Sequence, residues 1–329
     1  HCIGVTLAHA GKHCDYVVVA DNGSTDSTFD VVRKFFDESG LPGSWHVDSW
    51  DGYAINKTKM LSYVKDKTEY LLHLDADDRI SEDFYFTHSD VGHDYYSMKL
   101  LRGSSSWNAT VIYKNDLTWR FLGTAHTIIK ADKENLSQGN LTDRGHCNCD
   151  GIGSRAFDPK KYWYDGERLT KQFWDCLVDD PDGLLTRSAF YAGQSYMDYR
   201  VDGCTEKALQ WYKAIAIFDD RAEAYYFFGE YCCQQGRYEL SYEYLKKAEA
   251  CSLEHAESNY SLFVNRTVYG IYVNNWLSVA CFWTNRVEEG KALIMEILNN
   301  HKETFKDMVA HYEYNLDQFN VLEKKLSNA

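Results

Sequence analysis

The chain has 329 residues and a mass of 38.1 kDa, which is enough for one large domain or two of ordinary size. Its formal net charge is −14 and its isoelectric point is near 5.3, so its surface repels phosphate backbones and anionic lipid headgroups. We therefore expect neither a nucleic-acid partner nor a membrane-surface role. The hydrophobic share of 44 % predicts a sizeable core, and the presence of only 3 prolines favours long helices.

Ten cysteines occur, among them the close pairs Cys147/Cys149 and Cys232/Cys233, but the CxxC…CxxC spacing of a structural zinc site is absent from the sequence. A chain of this size does not need disulfide bonds to fold, so we predict free buried thiols in a reducing, cytoplasmic compartment. The sequence has no apolar run long enough to span a bilayer and no signal-like segment. The chain starts at His1 rather than Met, so we expect its natural N-terminus to lie upstream.

The first 150 residues alternate between helix-like and strand-like segments. Helical spacing of apolar side chains predicts helices at residues 3–10, 27–38 and 54–65. Apolar or alternating runs predict strands at residues 16–20, 45–50, 70–74, 95–101 and 110–114. Alternation of this kind indicates an α/β domain with a largely parallel sheet.

From residue 160 onward almost every segment favours a helix, and the segments repeat as pairs. The predicted pairs are 187–196 with 206–212, 222–231 with 238–244 and, in more divergent form, 268–283 with 287–298. A helical hairpin that recurs with a period near ~34 residues is typical of tetratricopeptide repeats, because neither helix buries its apolar face alone. We predict an α/β domain at residues 1–157 and a helical-repeat domain at 158–329. The repeats are equally compatible with a binding surface and with a structural brace.

The segment DNGSTD begins at Asp21, where a predicted strand ends. In open α/β sheets ligands bind at the carboxyl ends of strands, so Asp21 and Asp26 are candidates to accept hydrogen bonds from a ribose or a base. Gly23 would let a ligand approach the backbone, and Ser24 offers a donor. The competing interpretation is a plain junction between strand and helix with Asp26 as the helix cap.

A second acidic segment, DADD, begins at Asp75, where another predicted strand ends. The spacing of Asp75 and Asp77 puts both carboxylates on the same side of an extended backbone. Mg²⁺ and Mn²⁺ prefer oxygen ligands and are typically held by one or two carboxylates together with substrate phosphates. Such a metal neutralises the charge that develops on a departing diphosphate. The competing interpretation is an acidic turn without a ligand.

The two acidic segments together, roughly fifty residues apart, resemble those of family 2 glycosyltransferases of the GT-A fold. The segment DLTWRFLGTAH at residues 116–126 resembles the W-x-F/Y-x-G-x-x-H-E segment of members that carry a tetratricopeptide tail. Residues 158–162 (DPKKY) and 190–196 (FYAGQSY) resemble the junction and first repeat of the same subgroup. That subgroup includes bacterial peptide S-glycosyltransferases and giant-virus homologues. The resemblance extends over nearly the whole chain.

The resemblance implies a Rossmann-like GT-A domain that binds a nucleotide-diphosphate sugar, followed by an all-α tetratricopeptide-like domain. The implied nucleotide-sugar contacts are Asp21, Gly23, Ser24, Asp26, Lys57, Asp75 and Ala76. Lys57 stands where the family usually has Arg, and it would pair with the diphosphate as a point charge. Asp77 would bind Mn²⁺ or Mg²⁺, and His146 or His126 would complete the metal shell or contact the diphosphate. A lone histidine is, however, more often structural.

Two departures from the family pattern concern catalysis. Inverting transfer needs a base that removes the acceptor proton, yet Thr127 stands where the family has an acid. Asp116, Asp78 and the acceptor's own groups are the remaining candidates for the base, with His126 beside them as a catalytic candidate. A thiol acceptor would need less help because thiols ionise readily. The opening strand of the fold also has no counterpart here, which leaves either a fragment or a trimmed fold.

The sequence therefore predicts a metal-dependent, inverting glycosyltransferase that moves a sugar from a UDP-type donor to a protein, peptide or glycan acceptor. The repeats would shape the acceptor side or mediate self-association. One alternative is a catalytically degenerate nucleotide-sugar binder whose repeats recruit a partner. A glycoside hydrolase would act on glycans without a nucleotide. A nucleotidyltransferase would usually carry a basic, glycine-rich phosphate loop, which the sequence lacks.

Overall fold

The computed structural model describes residues 2–87, 89–102, 105–199, 201, 203–218, 221–259, 264–301 and 306–328. The chain divides into two compact units, which we call the sheet unit (His1–Arg168) and the helical unit (Leu169–Ala329). The division falls inside a helix, later than the boundary at residue 157 that the sequence predicts. Each unit is described by itself below.

Within the described residues, the strands are β1 (Val17–Asp21), β2 (Gly43–Val47), β3 (Tyr70–Leu72), β4 (Asp78–Ile80), β5 (Tyr95–Arg102), β6 (Ser105–Lys114), β7 (Trp119–Leu122), β8 (Ile128–Ala131), β9 (Gln138–Asn140) and β10 (His146–Cys149). The helices are α1 (Cys2–Ala10), α2 (Thr28–Ser39), α3 (Tyr53–Val64), α4 (Lys161–Val178), α5 (Leu185–Tyr199), α6 (Cys204–Phe218), α7 (Ala222–Gln234), α8 (Tyr238–Ala250), α9 (Leu253–Asn259), α10 (Val273–Trp283), α11 (Val287–Asn300) and α12 (Val309–Ser327). Short 3₁₀ turns span Ser154–Phe157 and Lys306–Met308, and a π-helical turn spans Val268–Tyr272.

Strands β1 and β2 form a parallel pair, in register from Val17 opposite Gly43 to Asp21 opposite Val47. The helix between them, α2, ends at Gly40, which takes the left-handed conformation (φ 66°) and donates its N–H to the Phe36 carbonyl. This tight turn is what lets β2 return alongside β1. The predicted strand at 16–20 and helix at 27–38 are confirmed with shifts of one residue at their ends.

The larger sheet is mixed, which corrects the prediction of a largely parallel sheet. Its strand order is β3-β6-β5-β10-β4, with β9 also paired to β5; three of these pairings are antiparallel and two parallel. Only two residues separate β5 from β6, and a connection that short can join only antiparallel neighbours. The alternating patterns of residues 95–101 and 110–114 are typical of such an antiparallel pair.

The sheet unit buries its apolar residues on the sheet faces. One cluster gathers Ile80, Met98, Ile112 and Cys147 from four different strands of the large sheet. A second packs Trp119 of β7 against Tyr113 and Leu71, so the β7–β8 hairpin covers the sheet edge formed by β3 and β6. This places the segment that resembles the glycosyltransferase motif next to the strand that precedes the acidic turn.

The helical unit consists of stacked helical hairpins, as the repeat predicts. Helices α5 and α6, α7 and α8, and α10 and α11 pack as pairs, and α6 on α7 and α8 on α10 join consecutive pairs. Glycines occupy the tight crossings within the pairs. A Cβ on Gly229 of α7 would lie 2.6 Å from Leu245 of α8, and one on Gly193 of α5 would lie 3.2 Å from Trp211 of α6.

No helix in the described ranges combines the length and the apolar character needed to cross a bilayer.

Candidate active site

The turn after β1 is held by the carboxylate of Asp21. Its oxygens accept hydrogen bonds from the Ser24 backbone N–H (3.1 Å) and from the Ser24 hydroxyl (2.6 Å). Gly23 has φ of +93°, a conformation that favours glycine, and a Cβ there would meet no atom within 4 Å. The turn is therefore preformed and open on one side, as a ligand-binding turn at a strand end requires.

Asp26 stands at the start of α2. Its carboxylate accepts hydrogen bonds from the Thr28 hydroxyl (2.6 Å) and the Thr28 N–H (3.0 Å), and these bonds lower its pKa. The side chain thus supports the turn that leads into α2, but the N-cap residue is Ser27 and not Asp26, the cap that the sequence allowed. Asp26 lies at the end of the β1 turn, and its side chain is exposed to solvent.

The second acidic segment forms a tight turn between β3 and β4. The Asp78 N–H donates to the Asp75 carbonyl (3.0 Å), and the Asp78 carboxylate accepts from the Asp75 N–H (2.9 Å). The Thr6 hydroxyl of α1 donates to the Ala76 carbonyl at 2.8 Å. Backbone groups of the turn are thereby satisfied inside the sheet unit, and its side chains are held in fixed directions.

Helix α3 connects the two acidic segments through consecutive side chains. The buried Asn56 amide donates to the Asn22 side-chain oxygen (2.7 Å), and its own oxygen accepts from the Asp51 N–H (2.8 Å). The Lys57 ammonium pairs with the Asp75 carboxylate at 2.7 Å. The ends of β1 and β3 therefore meet at the first turns of one helix, although these strands belong to different sheets.

Two aromatic rings line the same place, and neither was assigned a role from the sequence. The Phe121 ring of β7 lies 5.6 Å from the Lys57 nitrogen and 5.0 Å from the His73 ring. Burial, followed by the nearby Lys57 charge, lowers the pKa of His73 to about 4, so this histidine is neutral at pH 7. The sequence signal for Phe121 was available, because it lies inside the W-x-F segment.

The Asp77 carboxylate makes one hydrogen bond within the described residues. One carboxylate oxygen, Oδ2, accepts from the Gly153 N–H at 3.0 Å. Within the described residues, no hydrogen bond or ion pair engages the other oxygen, Oδ1. The loop that carries Gly153 is attached to β4, because the Asp150 carboxylate pairs with Arg79 at 3.1 Å.

These donors fit the divalent cation that the resemblance implies. Asp77 offers an uncommitted carboxylate oxygen, and the neighbouring Asp75 brings a second carboxylate that Lys57 already balances. Mg²⁺ and Mn²⁺ take oxygen ligands and are often bound by one or two carboxylates with substrate phosphates filling other positions. The turn carries oxygen donors of this kind at Asp77 and, paired with Lys57, at Asp75.

Asp78 points to a different set of neighbours. Its carboxylate and the thiols of Cys147 and Cys149 on β10 all bring a ligand atom within 4.8 Å of one another. Burial, and then the charge of Asp75, raises the pKa of Asp78 to about 6. The sequence pointed to Asp78 as a base and to the cysteines as free thiols, but it did not bring them together.

Two further candidates from the sequence, Asp116 and His146, lie outside this group. Asp116 is in the β6–β7 turn, where it pairs with Lys114 (2.8 Å) beside the beginning of β3 rather than its end. His146 begins β10, three residues and therefore about 10 Å along the strand from the position that faces Asp78. His126 is exposed in the β7–β8 turn and takes the left-handed conformation (φ 50°).

A cavity of about 230 Å³ lies near the N-terminal end of α3. It is lined by Trp50, Tyr53, Arg155, Asp158, Lys161, Tyr164 and Arg168. Tyr53 and Lys57 are four residues apart on α3 and so share one face of the helix. The Trp50 and Tyr164 rings are about half exposed, so the cavity presents aromatic surface to solvent.

Two solved structures are similar to this chain only weakly. MamA matches with 17 % identity over 52 % of this chain and 96 % of its own, at a TM-score of 0.31. TarS of S. aureus (residues 1–349) matches with 14 % identity over 99 % of this chain and 87 % of its own, at a TM-score of 0.35. At these scores neither match establishes a shared fold. No family model matches the sequence, and no curated protein matches it significantly.

Proposed function

We propose that the chain is a metal-dependent glycosyltransferase of the GT-A type, related to family 2, that uses a nucleotide-diphosphate sugar. The observation that carries the proposal is the junction made by α3, where Asn56 contacts the β1 turn and Lys57 pairs with Asp75 of the acidic turn. The carboxylates of the two strand-end turns suit a nucleotide, and Lys57 between them suits its diphosphate. The Asp77 oxygen that accepts no hydrogen bond from the described residues suits a metal.

Each side chain has a part in this proposal. Asp21 and Asp26 contact the base and ribose from the β1 turn, and Asp75 is the ribose neighbour on the other side. The Lys57 ammonium, 2.7 Å from Asp75, turns toward the diphosphate when the donor binds. Asp77 holds Mn²⁺ or Mg²⁺, which supplies positive charge against the leaving diphosphate. The preferred donor in this proposal is a UDP-sugar, and the transfer proceeds with inversion.

The catalytic base is proposed to come from the acceptor. Asp116 pairs with Lys114 at the other end of β3, and the Asp78 carboxylate is directed at two thiols. An acceptor that ionises near neutral pH, such as a peptide thiol, needs no strong base from the enzyme. The cavity beside Tyr53 is the proposed site for the acceptor-side sugar or peptide, because it adjoins the Lys57 face of α3.

A catalytically degenerate nucleotide-sugar binder is the second candidate. Thr127 replaces the acid that follows the family's motif histidine, and Asp116 lies away from the acidic turn. Such a protein would bind the donor through the same residues and would not turn it over. The two candidates therefore agree on binding and differ on whether UDP is released.

A thermal-shift panel tests the binding step common to both candidates. The full chain is heated with UDP, GDP, UDP-glucose and UDP-N-acetylglucosamine, each with Mn²⁺ or with a chelator. Stabilisation grows with the ratio of ligand concentration to dissociation constant, so we expect one nucleotide series to raise Tm in Mn²⁺ and much less in chelator.

The matched variants are Asp77→Asn, which removes the proposed metal ligand, and Asp30→Asn, which removes an exposed acid on α2 that pairs with Arg33. We expect the Mn²⁺-dependent shift to disappear in Asp77→Asn and to persist in Asp30→Asn. No shift with any nucleotide in the wild-type chain would overturn the proposal. Release of UDP during incubation with the preferred donor favours the transferase over the degenerate binder.

A further inference from the structure

Strands β4 and β10 present one carboxylate and two thiols on the same face of the large sheet. Cys147 and Cys149 are two residues apart on β10 and so point to the same side. In the antiparallel ladder, Cys149 lies opposite Asp78 and Cys147 lies opposite Ile80. The three side chains are thus brought together by strand register, across 69 residues of sequence.

The spacing of the three groups suits a small metal ion. Their ligand atoms, one carboxylate oxygen and two sulfurs, all lie within 4.8 Å of one another. Sulfurs bound to tetrahedral Zn²⁺ at ~2.3 Å stand nearly 4 Å apart, a separation compatible with the 4.8 Å limit on these ligand atoms.

The surroundings fit a cation better than they fit a lone acid. Cys147 is fully buried beside Ile80 and Met98, whereas Asp78 and Cys149 are partly exposed, which leaves one side of the group open to solvent. Within the described ranges, no Lys, Arg or His forms an ion pair with Asp78; the adjacent Arg79 pairs with Asp150. Among the described residues, the Asp78 carboxylate has the Asp75 N–H (2.9 Å) and the two thiols as neighbours, none of them positively charged.

The other close pair of cysteines, Cys232 and Cys233, packs in the core of the helical unit and serves as a comparison. Cys232 and Cys233 are adjacent on α7, so their side chains point about 100° apart around the helix axis. Both are buried, and Cys232 packs with Leu209 and Phe228. Among the described residues, only the group on β4 and β10 combines two thiols and a carboxylate at ligand spacing.

We propose that Asp78, Cys147 and Cys149 form a site for a thiophilic divalent cation such as Zn²⁺, with a fourth position open to water or substrate. Binding releases the two thiol protons to solvent and forms two metal–sulfur bonds and one metal–oxygen bond. The site is distinct from the proposed Mn²⁺ position at Asp77, because sulfur ligands select Zn²⁺ over the oxygen-preferring Mn²⁺. The bound ion would lock β4 to β10 and hold the acidic turn in place.

Cobalt binding tests the proposal without any activity measurement. The metal-free, reduced full chain is titrated with Co²⁺, which gives thiolate charge-transfer absorption in the near ultraviolet only when cysteine sulfur is bound. We expect this absorption to appear in the wild-type chain, to saturate at one Co²⁺ per chain and to be displaced by Zn²⁺. It should be lost in the double variant Cys147→Ser/Cys149→Ser and retained in Cys232→Ser/Cys233→Ser. Absence of the band, or its equal loss in both double variants, would overturn the proposal.

Thiol protection in the unmodified chain covers the case in which the serine variants fail to fold. Cys149 and Cys251 are both partly exposed, so each can be followed by alkylation and mass spectrometry. At free Zn²⁺ ten times its dissociation constant, labelling of Cys149 should slow roughly tenfold, whereas labelling of Cys251 should not change. Unchanged labelling of Cys149 contradicts the site. Neither readout involves a nucleotide, so a failure of donor binding in Mn²⁺ leaves this result intact, and the reverse also holds.

Discussion

A buried ion pair in the helical unit and the acidic turn of the sheet unit differ in how their charges are stabilised. In the helical unit, Arg221 and Glu223 are almost completely buried, and Glu223 also accepts hydrogen bonds from the Asn265 N–H (2.9 Å) and the Tyr269 hydroxyl (2.7 Å). In the sheet unit, the acids from Asp75 to Asp78 crowd an accessible turn. Buried charges with internal partners stabilise the fold, whereas we propose that the crowded carboxylates of the acidic turn bind a ligand.

The largest expected effect is in the helical unit. Glu223→Ala removes the buried carboxylate that pairs with Arg221 and accepts from Asn265 and Tyr269, and removing one partner of a buried pair costs about 3–5 kcal/mol. We expect a large drop in the urea midpoint. As a control, Asp175→Ala breaks the exposed pair with Lys171 and should change stability by less than about 0.5 kcal/mol. Equal effects of the two variants would contradict the distinction between buried and exposed charges.

In the sheet unit we expect a change in nucleotide binding and little change in stability. Lys57→Ala removes the proposed diphosphate cation, and losing a hydrogen bond to a charged group costs about 1.5–3 kcal/mol, or roughly 10–150-fold in Kd. We expect calorimetry to show this weakening for the preferred nucleoside diphosphate, with little change in Tm. Lys34→Ala, on the exposed surface of α2, should bind like the wild type. A Lys57→Ala variant that binds normally places the diphosphate elsewhere.

In the helical unit, α11 and α12 pack too closely at Gly290 to accept a larger side chain. A Cβ on Gly290 of α11 would lie 2.1 Å from the Phe319 ring of α12, which is itself buried. Overpacking of this kind costs about 1–3 kcal/mol, so Gly290→Ala should lower the free energy of unfolding measured in urea. At Gly270 a Cβ would meet no atom within 4 Å, and Gly270→Ala should leave stability unchanged or slightly higher. A neutral Gly290→Ala would mean that α12 shifts freely.

The smallest effect concerns acid stability in the sheet unit. The Lys133 ammonium, followed by the Ser137 N–H, lowers the pKa of Asp94 from 3.8 to about 2. A depressed carboxyl pKa contributes stability that is present above pH ~4 and is lost as pH falls toward ~2. Urea midpoints measured across this window should therefore fall less steeply for Asp94→Asn than for the wild type. Identical slopes would show that Asp94 titrates as it does in the unfolded chain.

The sequence predicted those parts of the fold that depend on near neighbours. Helical hairpins recur in the helical unit because each pair contacts mainly the next pair, so a repeat in sequence is a repeat in structure. The acidic turns were likewise found from the strands that immediately precede them. Both kinds of feature are decided within a short stretch of chain.

Strand pairing was not predictable in the same way. The segment HCNC of β10 has no apolar alternation, and its position between β4 and β5 depends on a partner some seventy residues earlier in the chain. The spacing of Cys147 and Cys149 could have indicated a shared face, but only the register reveals Asp78 opposite them. The contacts of α3 with the β1 turn and the acidic turn were not predicted for the same reason, because they join residues that are distant in sequence.

The most direct measurement is calorimetric titration of the preferred nucleoside diphosphate into the wild-type chain and into Asp77→Asn, each with Mn²⁺ and with chelator. If Asp77 holds a metal that would supply positive charge to the bound diphosphate, Mn²⁺ should tighten binding by the wild type and should make no difference to Asp77→Asn. An equal gain from Mn²⁺ in both chains, or no binding by either, would contradict a metal-dependent nucleotide site at the acidic turn.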